Sequence, residues 1–96
     1  MKKGYWIVSL AITEQEGYLA YVAANKEPLE AYGAKFLARA GEYTAAEGEA
    51  RARNTIVEFP SYQAAVDCWN SDAYQAAKAC REGAVEISLV IVEGVE

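Results

Sequence analysis

The stretch "EFPSYQAAVDCW", residues 58–69, decides how this chain folds. Pro60 has no N–H to give to a sheet ladder, so a strand must end at Phe59. Ser61 has a side-chain oxygen suited to capping the first turn of a helix. Tyr62, Ala65, Val66 and Trp69 then recur at i, i+3, i+4 and i+7, which predicts a helix with that stripe buried. Working backward, "RNTIVEF" (residues 53–59) alternates with Thr55, Val57 and Phe59 on one face and Asn54, Ile56 and Glu58 on the other. The proline turn is therefore architectural: it converts a strand into a helix within two residues.

The same logic extends in both directions. Residues 4 to 12 alternate, with Trp6, Val8, Leu10 and Ile12 on one face and Tyr5, Ile7, Ser9 and Ala11 on the other. "TEQE" then opens a helix, with Thr13 as its cap and Glu16 closing a capping box. Tyr18, Tyr21, Val22, Asn25, Leu29 and Tyr32 follow at helical spacing as the sheet-facing stripe. Pro28 predicts a break or kink near Asn25 to Glu27, and Gly33 ends the helix. "AKFLARAGEYTAAEGEA" reads as a second strand running irregularly past a bulge at Gly41, joined by a polar turn to the third. Beyond Trp69, Asn70 and Ser71 interrupt the second helix, which restarts and stops at Gly83. "AVEISLVIVEG" is the last strand, with Val85, Ile87, Leu89 and Ile91 on one face. "YLAYV" and "YQAAV", at the starts of the two helices, faintly echo each other.

The order is strand, helix, strand, strand, helix, strand. It predicts an α+β, ferredoxin-like βαββαβ domain spanning residues 1–96, with both helices on one face of an antiparallel sheet. The chain is 96 residues long and 53% hydrophobic, generous for so small a body. A helix-free sheet face that is apolar needs a cover, and a second copy related by a two-fold axis supplies one, so a homodimer is expected.

Charge and composition exclude several functions. A net charge of -5, with basic residues scattered through the chain, disfavours nucleic acid and anionic membrane surfaces. The start, "MKKGYWIVSLAIT", alternates as a strand and lacks the cleavage signature of a secretory peptide, so a cytoplasmic protein is expected. Two cysteines and no histidine leave too few ligands for an ordinary zinc site, and no metal or cofactor is expected. Cys68 and Cys80 read as small buried hydrophobes rather than a disulfide. There is no phosphate loop, dinucleotide fingerprint or nucleophile elbow, and Ser61 has no histidine to activate it.

Three segments together resemble a known family: "KGYWI" at residues 3–7, "GAKFLARAGEYTAAEGEARARNTIVEFPSYQAA" at 33–65, and "DAYQAAKACREGAVEISLVIVEG" at 72–94. They are similar to the bacterial domain-of-unknown-function family 1330 (DUF1330), of the dimeric α+β barrel superfamily. Ala34 and Ala40 depart from it, standing where the family pattern favours glycine, and "SDAY" replaces a more usual Ser-Pro-Glu-Tyr. The resemblance implies a homodimer whose sheets face each other and carries no established activity. The wider superfamily includes cofactor-free monooxygenases, lactone isomerases and haem-binding enzymes, the last poorly compatible with a chain without histidine.

The candidate site residues are Tyr18, Tyr21, Asn25, Arg39, Tyr62 and Trp69, expected to bind a small apolar or aromatic molecule, with Asn25, Arg39 and Glu58 as catalytic candidates. Asn25 is the polar member of an apolar stripe; it either orients a ligand or satisfies the backbone freed by Pro28. Arg39 and Glu58 lie on adjacent strands, as substrate anchor and base or as a structural ion pair at a dimer interface. The aromatics, Tyr5, Trp6 and Tyr74 among them, either wall a cavity or fill the core. Three functions follow: a metabolite-binding dimer, a cofactor-independent monooxygenase or isomerase, and a structural dimer with no ligand.

Overall fold

A computed structural model describes all residues, 1–96. Its seven elements are β1 (Gly4–Ile12), α1 (Gln15–Ala31), β2 (Lys35–Arg39), β3 (Arg53–Phe59), α2 (Tyr62–Asn70), α3 (Asp72–Ala79) and β4 (Val85–Glu93). The strands form one sheet in the order β2-β3-β1-β4, and every neighbouring pair is antiparallel. This is the ferredoxin-like α+β arrangement the strand and helix signals predict.

The core lies between the helices and one face of the sheet. Trp6, Val8 and Leu10 of β1 and Val57 and Phe59 of β3 are buried there, against Tyr21 and Leu29 of α1, Ala65 and Cys68 of α2, and Tyr74 and Ala77 of α3. Enclosing a side chain the size of Phe59 contributes about 1.5–3 kcal/mol. The Trp6 indole lies at the centre: it donates to the Ala65 carbonyl at 3.0 Å and packs edge-on against Tyr74, with ring centroids 4.9 Å apart.

The turn at Pro60 forms as expected. Ser61 is the N-cap of α2 and its Oγ accepts from the Ala64 N–H at 3.1 Å. Gly4 of β1 abuts this turn so closely that a Cβ there would overlap the Ser61 carbonyl and stand 2.6 Å from Tyr62 Cα. Ser71 both ends α2 and begins α3: its hydroxyl donates to the Cys68 carbonyl at 2.8 Å and accepts from the Tyr74 N–H at 3.1 Å. One hydroxyl thus satisfies two helix ends.

Five local expectations are corrected. The cap of α1 is Glu14, whose carboxylate accepts from the Glu16 and Gly17 N–H groups, while the Thr13 hydroxyl is drawn to the Gly83 carbonyl. α1 runs unbroken through Pro28. The acceptor that Pro28 orphans belongs to exposed Ala24, where water can serve it, and burial of Asn25, Pro28 and Leu29 holds the turn to the sheet. β2 stops at Arg39, and its irregularity falls between Phe36 and Ala38 rather than at Gly41. Tyr62 is 41% exposed, because the buried face of α2 is centred on Ala65 and Cys68. Cys80 is exposed, whereas Cys68 is enclosed, and both are free thiols.

The irregularity in β2 has a large effect on orientation. Phe36 pairs with Val57, Ala38 with Ile56 and Arg39 with Thr55, so Leu37 is the extra residue of a bulge. Strict alternation would send Arg39 to the face opposite Phe36; the bulge returns it to the helix side.

Candidate functional site

The bulge, the partner strand and α1 together build a cleft. Its inner part is lined by Tyr18, Tyr21, Asn25 and Leu29 of α1 and by Trp6, Val57 and neighbouring sheet residues, with Arg39 and Arg53 also in the lining. The inner space is about 50 Å³. That suffices for a few water-sized groups. It adjoins an outer mouth of about 350 Å³ that shares Val22, Asn25, Leu29, Phe36 and Arg39 and adds Lys26, Glu30 and Ala34. Together they reach the size of an ordinary small-molecule site.

Asn25 stands where the two parts meet. It is 8% exposed, and none of the side-chain hydrogen bonds of the protein involves it. Its amide does not serve the backbone near Pro28, where the Pro28 carbonyl is instead approached by the Tyr32 N–H and the Cys68 thiol. A buried amide normally finds partners, so the carboxamide in this cleft wall retains donors and acceptors for whatever enters.

The guanidinium groups rest on aromatic rings. Arg39 Cζ lies 4.0 Å from the Phe36 ring centroid, and Arg53 Cζ lies 5.4 Å from that of Tyr18. Neither has a carboxylate within ion-pairing distance; the one ion pair of the chain joins Lys78, near the end of α3, to Glu82 just beyond it. Deeper in the wall, the Tyr21 and Tyr74 hydroxyls meet at 2.6 Å. Burial, and secondarily Tyr21, push the Tyr74 phenol well above its ordinary value, with Arg81 partly opposing them. Arg81 is itself buried, its Cζ 4.9 Å from the Tyr21 ring centroid and its Nε without a partner. Tyr74 therefore stays protonated at neutral pH and acts as a hydrogen-bonding group, not as a base.

The structure brings together Tyr18, Tyr21, Asn25 and Arg39 of the sequence-derived residues and separates the others. Trp69 packs against Trp6 and Tyr74 beneath α2, at centroid distances of 6.1 and 5.4 Å, and does not line the cleft. Tyr62 is at the surface. Glu58 does not pair with Arg39: the register sets Lys35 opposite Glu58, and Glu58 accepts from the Tyr5 hydroxyl at 3.3 Å on the helix-free face. Partial burial and then the charge of Glu58 hold the Tyr5 phenol above its usual value. Sequence reasoning missed Arg53 and Arg81. Arg53 had a legible signal, since it precedes Thr55, Val57 and Phe59 by the two-residue period of one strand face.

A split βαβ sheet with its helices packed on one face defines a ferredoxin-like α+β protein. Within that class the chain belongs to the family described as "Domain of unknown function (DUF1330)", whose pattern matches residues 3–95. It is similar in structure to the RPA0582 protein of unknown function from Rhodopseudomonas palustris, with a TM-score of 0.80 and 19% identity over 99% of this chain and 84% of that one. A "putative antibiotic biosynthesis monooxygenase" from Caulobacter crescentus CB15 shares the fold at a TM-score of 0.59 and 12% identity, over 99% of this chain and 92% of that one. One described in the same words from Nitrosomonas europaea has a TM-score of 0.58 and 11% identity, over 98% and 99% of the two chains. No curated protein matches the sequence. No helix is long and apolar enough to cross a membrane.

Proposed function

We propose that the protein binds a small apolar or aromatic metabolite in the cleft between α1 and the sheet, and that it works as a homodimer. The observation that carries the binding reading is the Asn25 carboxamide, set in a largely apolar cleft wall without a protein partner and open to whatever enters the cleft. A structural dimer with no ligand has no use for an amide without a protein partner there, since a leucine would fill the same wall.

Asn25→Leu separates the two roles. If the amide serves a ligand, the variant melts at or above the wild-type temperature, with stability gained by up to about 1 kcal/mol. Affinity for cleft ligands, found by titrating an aromatic fragment library into labelled protein, falls by about tenfold or more. A variant that is destabilised while its ligand affinity is unchanged would return Asn25 to a structural role.

A second reading, a cofactor-independent monooxygenase or isomerase, draws support from the fold shared with the two proteins described as monooxygenases and from Tyr21, which lines the cleft and is hydrogen-bonded to the buried Tyr74 behind it. Asn25 and Tyr21 then polarise the substrate. Glu58, on the other side of the sheet, has no part in it. This reading expects oxygen uptake or isomerisation with activated phenols or lactones in the absence of added cofactor, lost in Asn25→Leu.

A further inference from the structure

We propose that the ligand is an anion: a carboxylate on an apolar or aromatic body, its carboxylate held by Arg39 and Arg53 and its body lying along the cleft toward Asn25. This rests on the cleft being a ligand site and adds the class of molecule it takes. The first ground is charge placement. The chain carries 14 acidic and 9 basic residues. Yet the inner cleft is lined by two arginines and no acid, and its mouth adds Lys26 against a single Glu30. A protein with a negative overall field thus gathers a local positive site in an apolar cleft.

The second ground is geometry. Arg39 pairs with Thr55, and Arg53 lies two residues from Thr55 along the same strand, on the same face. They are diagonal neighbours, with backbones roughly 7–8 Å apart. Two like charges carried by neighbouring strand positions on one face favour an anion between them, and neither arginine is ion-paired to a carboxylate of the chain. Each is also held against a ring, Phe36 or Tyr18, which orients its planar fork before a ligand arrives. Guanidinium forks match carboxylates in bidentate geometry. Arg39 is in this position only because Leu37 is bulged out of β2, a departure from regular pairing that places a cation on the cleft side.

Apolar walls argue against a bare inorganic anion. Of the inner lining, ten residues are hydrophobic, so the site suits a molecule with one charged end and an apolar remainder. The test is titration of the labelled protein with matched pairs: benzoate and benzamide, phenylacetate and phenylacetamide, hexanoate and hexanamide, with inorganic phosphate as a separate probe. The expected result is that at least one carboxylate binds about tenfold or more tightly than its amide, and that added NaCl erodes the difference. Arg39→Met and Arg53→Met should each remove most of that preference, affinity for the carboxylate falling by more than affinity for its neutral amide. If amides bind as well as carboxylates, the anion inference is wrong and the cleft reading stands. If neither series binds, both fail. Phosphate binding as tightly as the best carboxylate would also overturn the proposal, because the apolar body would then contribute nothing.

Discussion

Cys68 and Cys80 carry the same thiol in opposite surroundings. Cys68 is fully enclosed between α2 and the Pro28 turn, and burial pushes its thiol up to about 12 from an ordinary 9.0. Folded protein therefore keeps the proton that unfolded protein releases above about pH 9, so stability is complete below that point and falls as pH rises toward 12. The loss is up to about 1.4 kcal/mol per pH unit. Urea midpoints measured on both sides of pH 9 should fall more steeply for the wild type than for Cys68→Ala. A thiol reagent at neutral pH should label Cys80 alone until denaturant is added. Ala40 offers a second test at this scale, with a φ of 53°, where an L side chain is crowded and glycine is at ease. Ala40→Gly should stabilise the fold by about 0.5–1 kcal/mol, read as a raised melting temperature, since relief of that crowding exceeds the entropic cost of glycine. The departure from the family pattern at this position thus has a physical counterpart.

Among the elements, the ends were legible where one residue type settles them: Pro60 and Ser61 stop β3 and start α2, and Ser71 divides the two later helices. They were less legible where two polar residues compete. Thr13 and Glu14 are both able to cap α1, and the carbonyls of the β4 approach decide between them by engaging the Thr13 N–H, the Glu14 N–H and the Thr13 hydroxyl. A bulge leaves still less trace. Leu37 is an unremarkable strand residue, and only the pairing of β2 with β3 reveals that it is extra. Hence the sequence placed Arg39 on a strand but not on a face, and its supposed pairing with Glu58 failed because the register sets Lys35 opposite Glu58 and Arg39 opposite Thr55. Gly4 is the complementary case, where contact between elements demands the residue. Gly4→Ala should cost about 1–3 kcal/mol in denaturant titration, because the overlapping atoms are the Ser61 and Tyr62 backbone, which no side-chain rotation relieves.

At the scale of the molecule, one sheet face still needs an occupant. Ala38, Ile56, Ile7 and Val90 fall in register as a row across all four strands. Ile7 is 42% exposed and Val90 57%. Beside the row Arg51 reaches across to donate to Ser88 at 2.9 Å, so the segment before β3 borders one end of the apolar stripe. A second copy facing the first would cover this row in both chains, which is the homodimer proposed above. Val90→Lys together with Ile7→Lys should convert a dimeric sedimentation profile to a monomeric one without loss of helical circular dichroism. Because the cleft lies on the other face, carboxylate affinity should survive in those monomers if each chain holds a complete site.

Local chemistry in the sequence determined the elements, their order and the layer they form, because proline, serine caps and two-residue or helical periodicity act over a few neighbouring residues. It also marked Tyr18, Tyr21 and Asn25 as one helical stripe. Tertiary structure alone decided what that stripe faces: the bulge that turns Arg39 inward, the packing of Trp69 against Trp6 and Tyr74 outside the cleft, the exposure of Tyr62 and the removal of Glu58 to the far side of the sheet. Those outcomes depend on register and on packing between residues tens of positions apart, where the position of one side chain is fixed by the pairing of another strand.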